Sequence, residues 1–156
     1  MKKAIGIVGI ILVAATLGVM AIAKNAKTTL KPSFNHLSLS VYDLAKTGDF
    51  YERILNLRKI EEPFKDNKHI WFHIGEHVQL HLIAGGAKEQ VHPKNNHMSL
   101  TVASVEEFVE HLKAEHVAYT SGNDTGIVPT IRADGVKQVF FQDPDGFWIE
   151  VNNDRY

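Results

Sequence analysis

A chain of 156 residues that is 44% hydrophobic and 22% charged has the make-up of one ordinary globular domain, which excludes a disordered, collagen-like or multi-span membrane chain. Its 17 basic and 18 acidic side chains leave a net charge of -1, too little positive field to gather the phosphates of a nucleic acid, so no nucleic-acid partner is expected. The absence of cysteine rules out a disulfide framework, a thiolate metal site and a cysteine nucleophile.

Residues 1–29 read as a separate segment. Lys2 and Lys3 precede a run without charge from Ala4 to Ala23, and Lys24 and Lys27 restore polarity after it. Ala21-Ile22-Ala23 fits the cleavage pattern of a signal peptide, while the 20-residue run is long enough for an N-terminal membrane anchor. Both readings place the remaining domain, residues 30–156, outside the cytoplasm: periplasmic, secreted, or anchored to the membrane by residues 4–23. That domain keeps 13 basic against 18 acidic side chains and is mildly acidic.

The domain repeats itself. Asn35-His36-Leu37-Ser38-Leu39-Ser40-Val41 returns 61 residues later as Asn96-His97-Met98-Ser99-Leu100-Thr101-Val102, with five of seven positions identical. Each copy alternates apolar and polar side chains, the period of a strand with one buried face. A helix follows each copy. The first is capped by Asp43 and carries Leu44, Phe50, Tyr51 and Ile54 on its apolar side; the second is capped by Ser104, with Glu107 three residues on, and carries Val105, Phe108, Val109 and Leu112. Strands are expected over Arg58 to Phe64, His69 to Ile74 and Val78 to Ile83, then over Val117 to Thr120, Val136 to Gln142 and Phe147 to Asn152. Asp143-Pro144-Asp145-Gly146 turns the chain between the last two. The fold class is therefore α+β, two tandem βαβββ modules at about 33–84 and 94–153. The two are expected to form one curved sheet cup with the helices outside and the polar faces inside. Ala84 to Pro93 links the modules, and Thr120 to Gly135 is a candidate loop over the mouth of the cup.

Alternation also sorts the nine histidines. His36 and His97 hold equivalent places on the polar faces of the two opening strands. His81 shares the polar side of its strand with Gln79, and Glu150 shares that of the final strand with Trp148 and Asn152. Three imidazoles and a carboxylate suit one divalent transition-metal ion and leave coordination positions for substrate. His36, His81, His97 and Glu150 are thus the candidate metal ligands; Trp148, Asn152 and His73 are candidate substrate contacts. A binding groove without metal is the bland alternative. His69, His73 and His77 stand four apart but belong to a hairpin, where that spacing does not bring them together.

Taken in order, NHLSLSV, DFYERIL, QLHLI, NHMSLTV and FFQDPDGFWIEV resemble the vicinal oxygen chelate superfamily, which groups glyoxalase I, fosfomycin-modifying enzymes, extradiol dioxygenases and bleomycin-resistance proteins. The similarity runs from Ser33 to Asn153. It implies paired βαβββ modules, a divalent metal (zinc, nickel, cobalt, manganese or iron) and a small substrate that chelates it through adjacent oxygens. The superfamily's ligand positions fall on His36, His81, His97 and Glu150, with Glu150 as catalytic base. The resemblance points first to a glyoxalase-I-like lyase or isomerase. An iron(II) ring-cleaving dioxygenase using His36, His97 and Glu150, and a non-catalytic binding or resistance protein, are the alternatives. His81 stands where glyoxalase I usually has an acid, and Ser40 where it has an arginine for the glutathione carboxylate. A homodimer that completes the cup is a further expectation of the resemblance.

Overall fold

The computed structural model describes residues 31–123 and 125–155. The expected leader, residues 1–29, lies outside the described residues, and among the described residues no helix is long and apolar enough to cross a membrane. Residues from Ser33 onward form one compact unit.

Strict alternation makes β1 (His36–Val41) a half-buried strand: His36, Ser38 and Ser40 are exposed while Leu39 and Val41 are buried. Helix α1 (Leu44–Ile54) starts where the Asp43 carboxylate accepts from the Lys46 amide at 3.0 Å, satisfying one of the unpaired donors of the first turn. Next come β2 (Arg58–Ile60), β3 (His69–Gly75) and β4 (Val78–Ala84). The second module repeats the series: β5 (His97–Thr101), α2 (Val105–Ala114) under its Ser104 cap, β6 (Tyr119–Thr120), β7 (Thr130–Ile131), β8 (Lys137–Gln142) and β9 (Trp148–Asn152). The two tandem βαβββ modules expected from the repeat are present.

Each module has its own sheet. The first runs β1-β4-β3-β2 and the second β5-β9-β8-β6, with β7 also on β8. The opening strand pairs in parallel with the last strand of its own module, and all other pairs are antiparallel. No ladder joins β1 to β5, so in place of a single curved sheet there are two, each ending in a parallel edge strand. The physical reason lies with α1. It packs on the apolar face of its own sheet, where Gly48 lets the helix approach Ile70, and it also meets the second module, with Phe50 and Phe141 ring centroids 6.3 Å apart. One core therefore unites the apolar faces, with Val41, Tyr51, Phe72, Leu80, Leu112, Phe141, Ile149 and Val151 at its centre. The polar faces look the other way.

Two stretches differ from their expected extent, one shorter and one with an added strand. β2 stops at Ile60 because Glu62 turns back to accept from the amides of Phe64 and Lys65, both at 2.7 Å. The stretch from Thr120 to Gly135, expected as loop throughout, contains β7.

Candidate metal centre on two sheet faces

Register places the candidate residues. In the second module His97 stands beside Trp148, Ser99 beside Glu150 and Thr101 beside Asn152, so all six share one face. The next strand adds Gln138, Phe140 and Gln142 to it. In the first module the shared face carries His36 beside Gln79, Ser38 beside His81, and His81 in turn beside Trp71.

The second module holds its pair tightly. His97 Nε2 lies 3.0 Å from Glu150 Oε2, and His97 Nδ1 lies 2.9 Å from the Lys94 carbonyl oxygen. A carbonyl can only accept, so the Nδ1–H donates to Lys94, and the Nε2–Oε2 contact at hydrogen-bond distance is held by a shared proton, the place a metal ion would take. Glu150 is buried; its Oε1 accepts from the Asn152 amide at 2.7 Å, and the same amide donates to Ser99 Oγ at 2.9 Å. Phe140 stands edge-on to the His97 ring at 5.2 Å, and the Lys94 ammonium sits 4.8 Å over Phe140. Lys94 also donates to the Ser121 carbonyl and so spans from the linker to the opposite loop.

The first module's pair is looser. The His36 and His81 rings stack at 4.5 Å with 12° between planes, and Trp71 stacks on the far side of His81 at 3.9 Å. His36 Nδ1 meets Asn35 Oδ1 at 2.6 Å, and His81 Nε2 meets Gln79 Oε1 at 2.8 Å. Desolvation, and then the neighbouring His36 and His69, push the His81 pKa below its ordinary value, the direction that keeps the imidazole neutral.

The four predicted ligands thus come as two pairs, one per sheet. Among the described residues the one group of three donor side chains within 4.8 Å of each other is Glu62, Asp66 and His69. Its carboxylates are already engaged, Glu62 by two loop amides and Asp66 by the Lys68 amide and the His69 ring, so it serves as a loop brace.

The donor chemistry fits a divalent transition metal, and the second pair fits as it stands. Its two donors lie 3.0 Å apart, near enough to share one ion. The first pair does not converge as it stands, since its rings are stacked and one nitrogen of each is engaged by Asn35 or Gln79.

The remaining candidates divide. Trp148 donates its indole N–H to the His92 carbonyl at 3.0 Å and borders a cavity of about 380 Å³ that also touches His97, Leu37 and Tyr51. Asn152 spends its amide on Glu150 and Ser99, which makes it a positioning group in this arrangement. His73 lies on the first module's polar face, beside Gln79 and Arg58. Sequence reasoning passed over Phe140, Gln79 and Lys94. Alternation in Val139-Phe140-Phe141 could have found Phe140, and Gln79 was placed on the right face without a role. Nothing in the linker signals Lys94.

A model of the Glyoxalase/Bleomycin resistance protein/Dioxygenase superfamily matches residues 33–151. The chain belongs to this superfamily. Among its relatives, a protein of Arabidopsis thaliana named Glyoxylase I 4 is 29% identical over 130 residues, 78% of this chain and 70% of the relative. The solved fosfomycin resistance protein FosX of Listeria monocytogenes superposes with a TM-score of 0.65 at 23% identity, covering 81% of this chain and 94% of FosX. Lactoylglutathione lyase of Agrobacterium tumefaciens gives a TM-score of 0.60 at 16% identity, covering 79% of this chain and 94% of the lyase. At these identities the two structures speak for the fold.

Proposed function

We propose that this superfamily member is a divalent-metal-dependent enzyme of the glyoxalase-I-like lyase or isomerase type, acting on a small oxygenated substrate that chelates the metal. One observation carries the reading: His97 and Glu150 stand at ligand-to-ligand distance, with the histidine fixed through its other nitrogen and the carboxylate through its other oxygen. His36, His81, His97 and Glu150 would hold the ion. When bound there, the ion supplies Lewis-acid polarisation of substrate oxygens. Glu150 is the proton carrier. Its Oε1 is restrained by Asn152, so Oε2 would be the ligand oxygen that, once loosened from the ion as substrate binds, takes the proton from the carbon next to the polarised carbonyl and returns it to the neighbouring carbon. Burial of Glu150, with Phe140 opposite it on the neighbouring strand, limits the access of water to that transfer. Because each chain offers two half-sites on outward faces, the complete centre is assembled when the first module of one copy faces the second module of another.

A second reading has its own support. His81 is held between His36 and Trp71 with one nitrogen on Gln79. If it stays there, His36, His97 and Glu150 remain as the two-histidine-one-carboxylate set of an iron(II) ring-cleaving dioxygenase.

Elemental analysis of protein purified without chelators tests both. One divalent ion per chain, lost in Glu150→Ala and His97→Ala but kept in the control His77→Ala, is the expected result; iron as the native ion selects the dioxygenase. Equal metal content in all four proteins, or none after reconstitution, overturns the metal-enzyme reading. His77 is a fair control, since its side chain is 87% exposed and stands on the β3–β4 turn.

A further inference from the structure

The first sheet carries a line of polar side chains that the proposed chemistry does not use. His36 on β1 is opposite Gln79 on β4, Gln79 is opposite His73 on β3, and His73 is opposite Arg58 on β2. Residues directly opposite one another share a face, so this row crosses the whole sheet on the side that bears His36 and His81. At the spacing of adjacent strands His73 lies roughly 10 Å and Arg58 roughly 14 Å from His36.

Arg58 is exposed and, like Arg155, has no partner among the described residues, but of the two it alone lies in this row. Arg53 pairs with Asp49 and Glu115, and Arg132 with Asp134 and Asp154, whereas Arg58 has no ion pair and no side-chain hydrogen bond among the described residues. Its neighbour Lys59 points to the other face and pairs with Glu52. The acids nearest along the strand, Glu61 and Glu62, follow Ile60, in the next row, and Glu62 is turned onto loop amides. An unpaired guanidinium beside an imidazole, on a domain that is acidic overall, is a fork suited to one carboxylate.

We infer that Arg58 and His73 form a carboxylate subsite, so that the substrate is an elongated molecule with metal-chelating oxygens at one end and a carboxylate roughly 10 Å away at the other. The inference rests on the metal centre proposed above and names the substrate class of that site. His73 and Arg58 bind and orient the far end of the substrate and touch none of the reacting atoms.

The test uses two probes on zinc-loaded protein: octanohydroxamate, which chelates but is neutral at its tail, and the monohydroxamate of octanedioic acid, which carries a carboxylate there. The carboxylated probe should bind about tenfold more tightly, the value of one charge-assisted hydrogen bond. Arg58→Gln and Arg58→Gln/His73→Gln should bring the two probes to within about threefold of each other, Arg58→Lys should keep part of the difference, and the affinity for octanohydroxamate should not change in any variant. No preference in the wild type, or a preference that survives in the double variant, overturns the subsite. On metal-free protein, octanedioate alone should shift the Arg58 Nε–H and His73 ring signals in NMR spectra, and unmoved signals overturn the subsite whatever the metal does. Failure of the metal centre is a separate result, seen as hydroxamate binding that is the same with and without zinc.

Discussion

Asp143 accepts from the Tyr51 hydroxyl at 2.9 Å and from the amides of Asp145 and Phe147, yet it is buried, and desolvation outweighs those bonds and pushes its pKa up to about 6. In the unfolded chain the same carboxyl titrates near 3.9, so between those values the folded state holds the extra proton and stability falls as pH rises. Ionised Asp143 costs about 3 kcal/mol, a cost relieved as pH drops from 7 through 6 toward 4. Asp143→Asn keeps an acceptor for the amides and removes the titration. Urea unfolding of both proteins should therefore show the wild type gaining stability on the variant as pH is lowered across that window; a constant difference would mean that the carboxyl titrates normally. Tyr51, whose own pKa burial and then Asp143 drive upward, remains the donor throughout. In the sequence Asp143 reads as a turn residue, and its turn is indeed there, with Gly146 at φ 84°. Its bond to Tyr51 spans 92 positions and leaves no local trace.

The same turn makes helix α1 the hinge-pin of the molecule. Thr47 Oγ1 donates to Asp145 Oδ2 at 2.5 Å and the Tyr42 amide donates to Asp145 Oδ1 at 2.6 Å, so the turn between β8 and β9 grips the chain just before α1 and the first turn of the helix. Thr47→Val keeps the shape but leaves a buried carboxylate oxygen unpaired and should cost about 2 to 3 kcal/mol, against about 1 kcal/mol for Ser104→Ala at the cap of α2. Denaturation midpoints of the two variants check the ranking, and equal losses would show that the grip contributes no more than a cap. This element also marks where sequence reading ran out. Leu44, Phe50, Tyr51 and Ile54 were legible as the apolar side of α1, but the buried Thr47 and Gly48 were not, because only a helix covered from two directions buries them. Strand faces were legible nearly throughout, since alternation reports burial directly: Leu39 and Val41 are inside, and His36, Ser38 and Ser40 outside. The short β7 was not, because two residues carry no period.

For the whole molecule, the repeat picked out His36 and His97, and alternation added His81 and Glu150, but neither told how far apart the two pairs lie. Matching positions in two modules say which face a side chain takes, while the distance between the faces depends on where α1 settles. If copies complete each other's centres, a His36→Ala/His81→Ala chain mixed with a His97→Ala/Glu150→Ala chain should recover metal in about a quarter of the sites, since half the pairs are mixed and each has one intact centre. Recovery of none, with each variant shown to be folded, would place the centre within one chain. The grip on α1 has a consequence for synthesis as well. A ribosome makes Thr47 and Tyr51 more than 90 residues before Asp145 and Asp143. Until the β8–β9 turn emerges, the nascent first module carries an apolar helix with nothing to cover its second side, and the parallel β1–β4 pairing adds a slow, long-range step. A stop codon anywhere before residue 143 would then cost both modules, the first as surely as the second, and pulse-labelled chains should stay sensitive to protease until translation is almost finished.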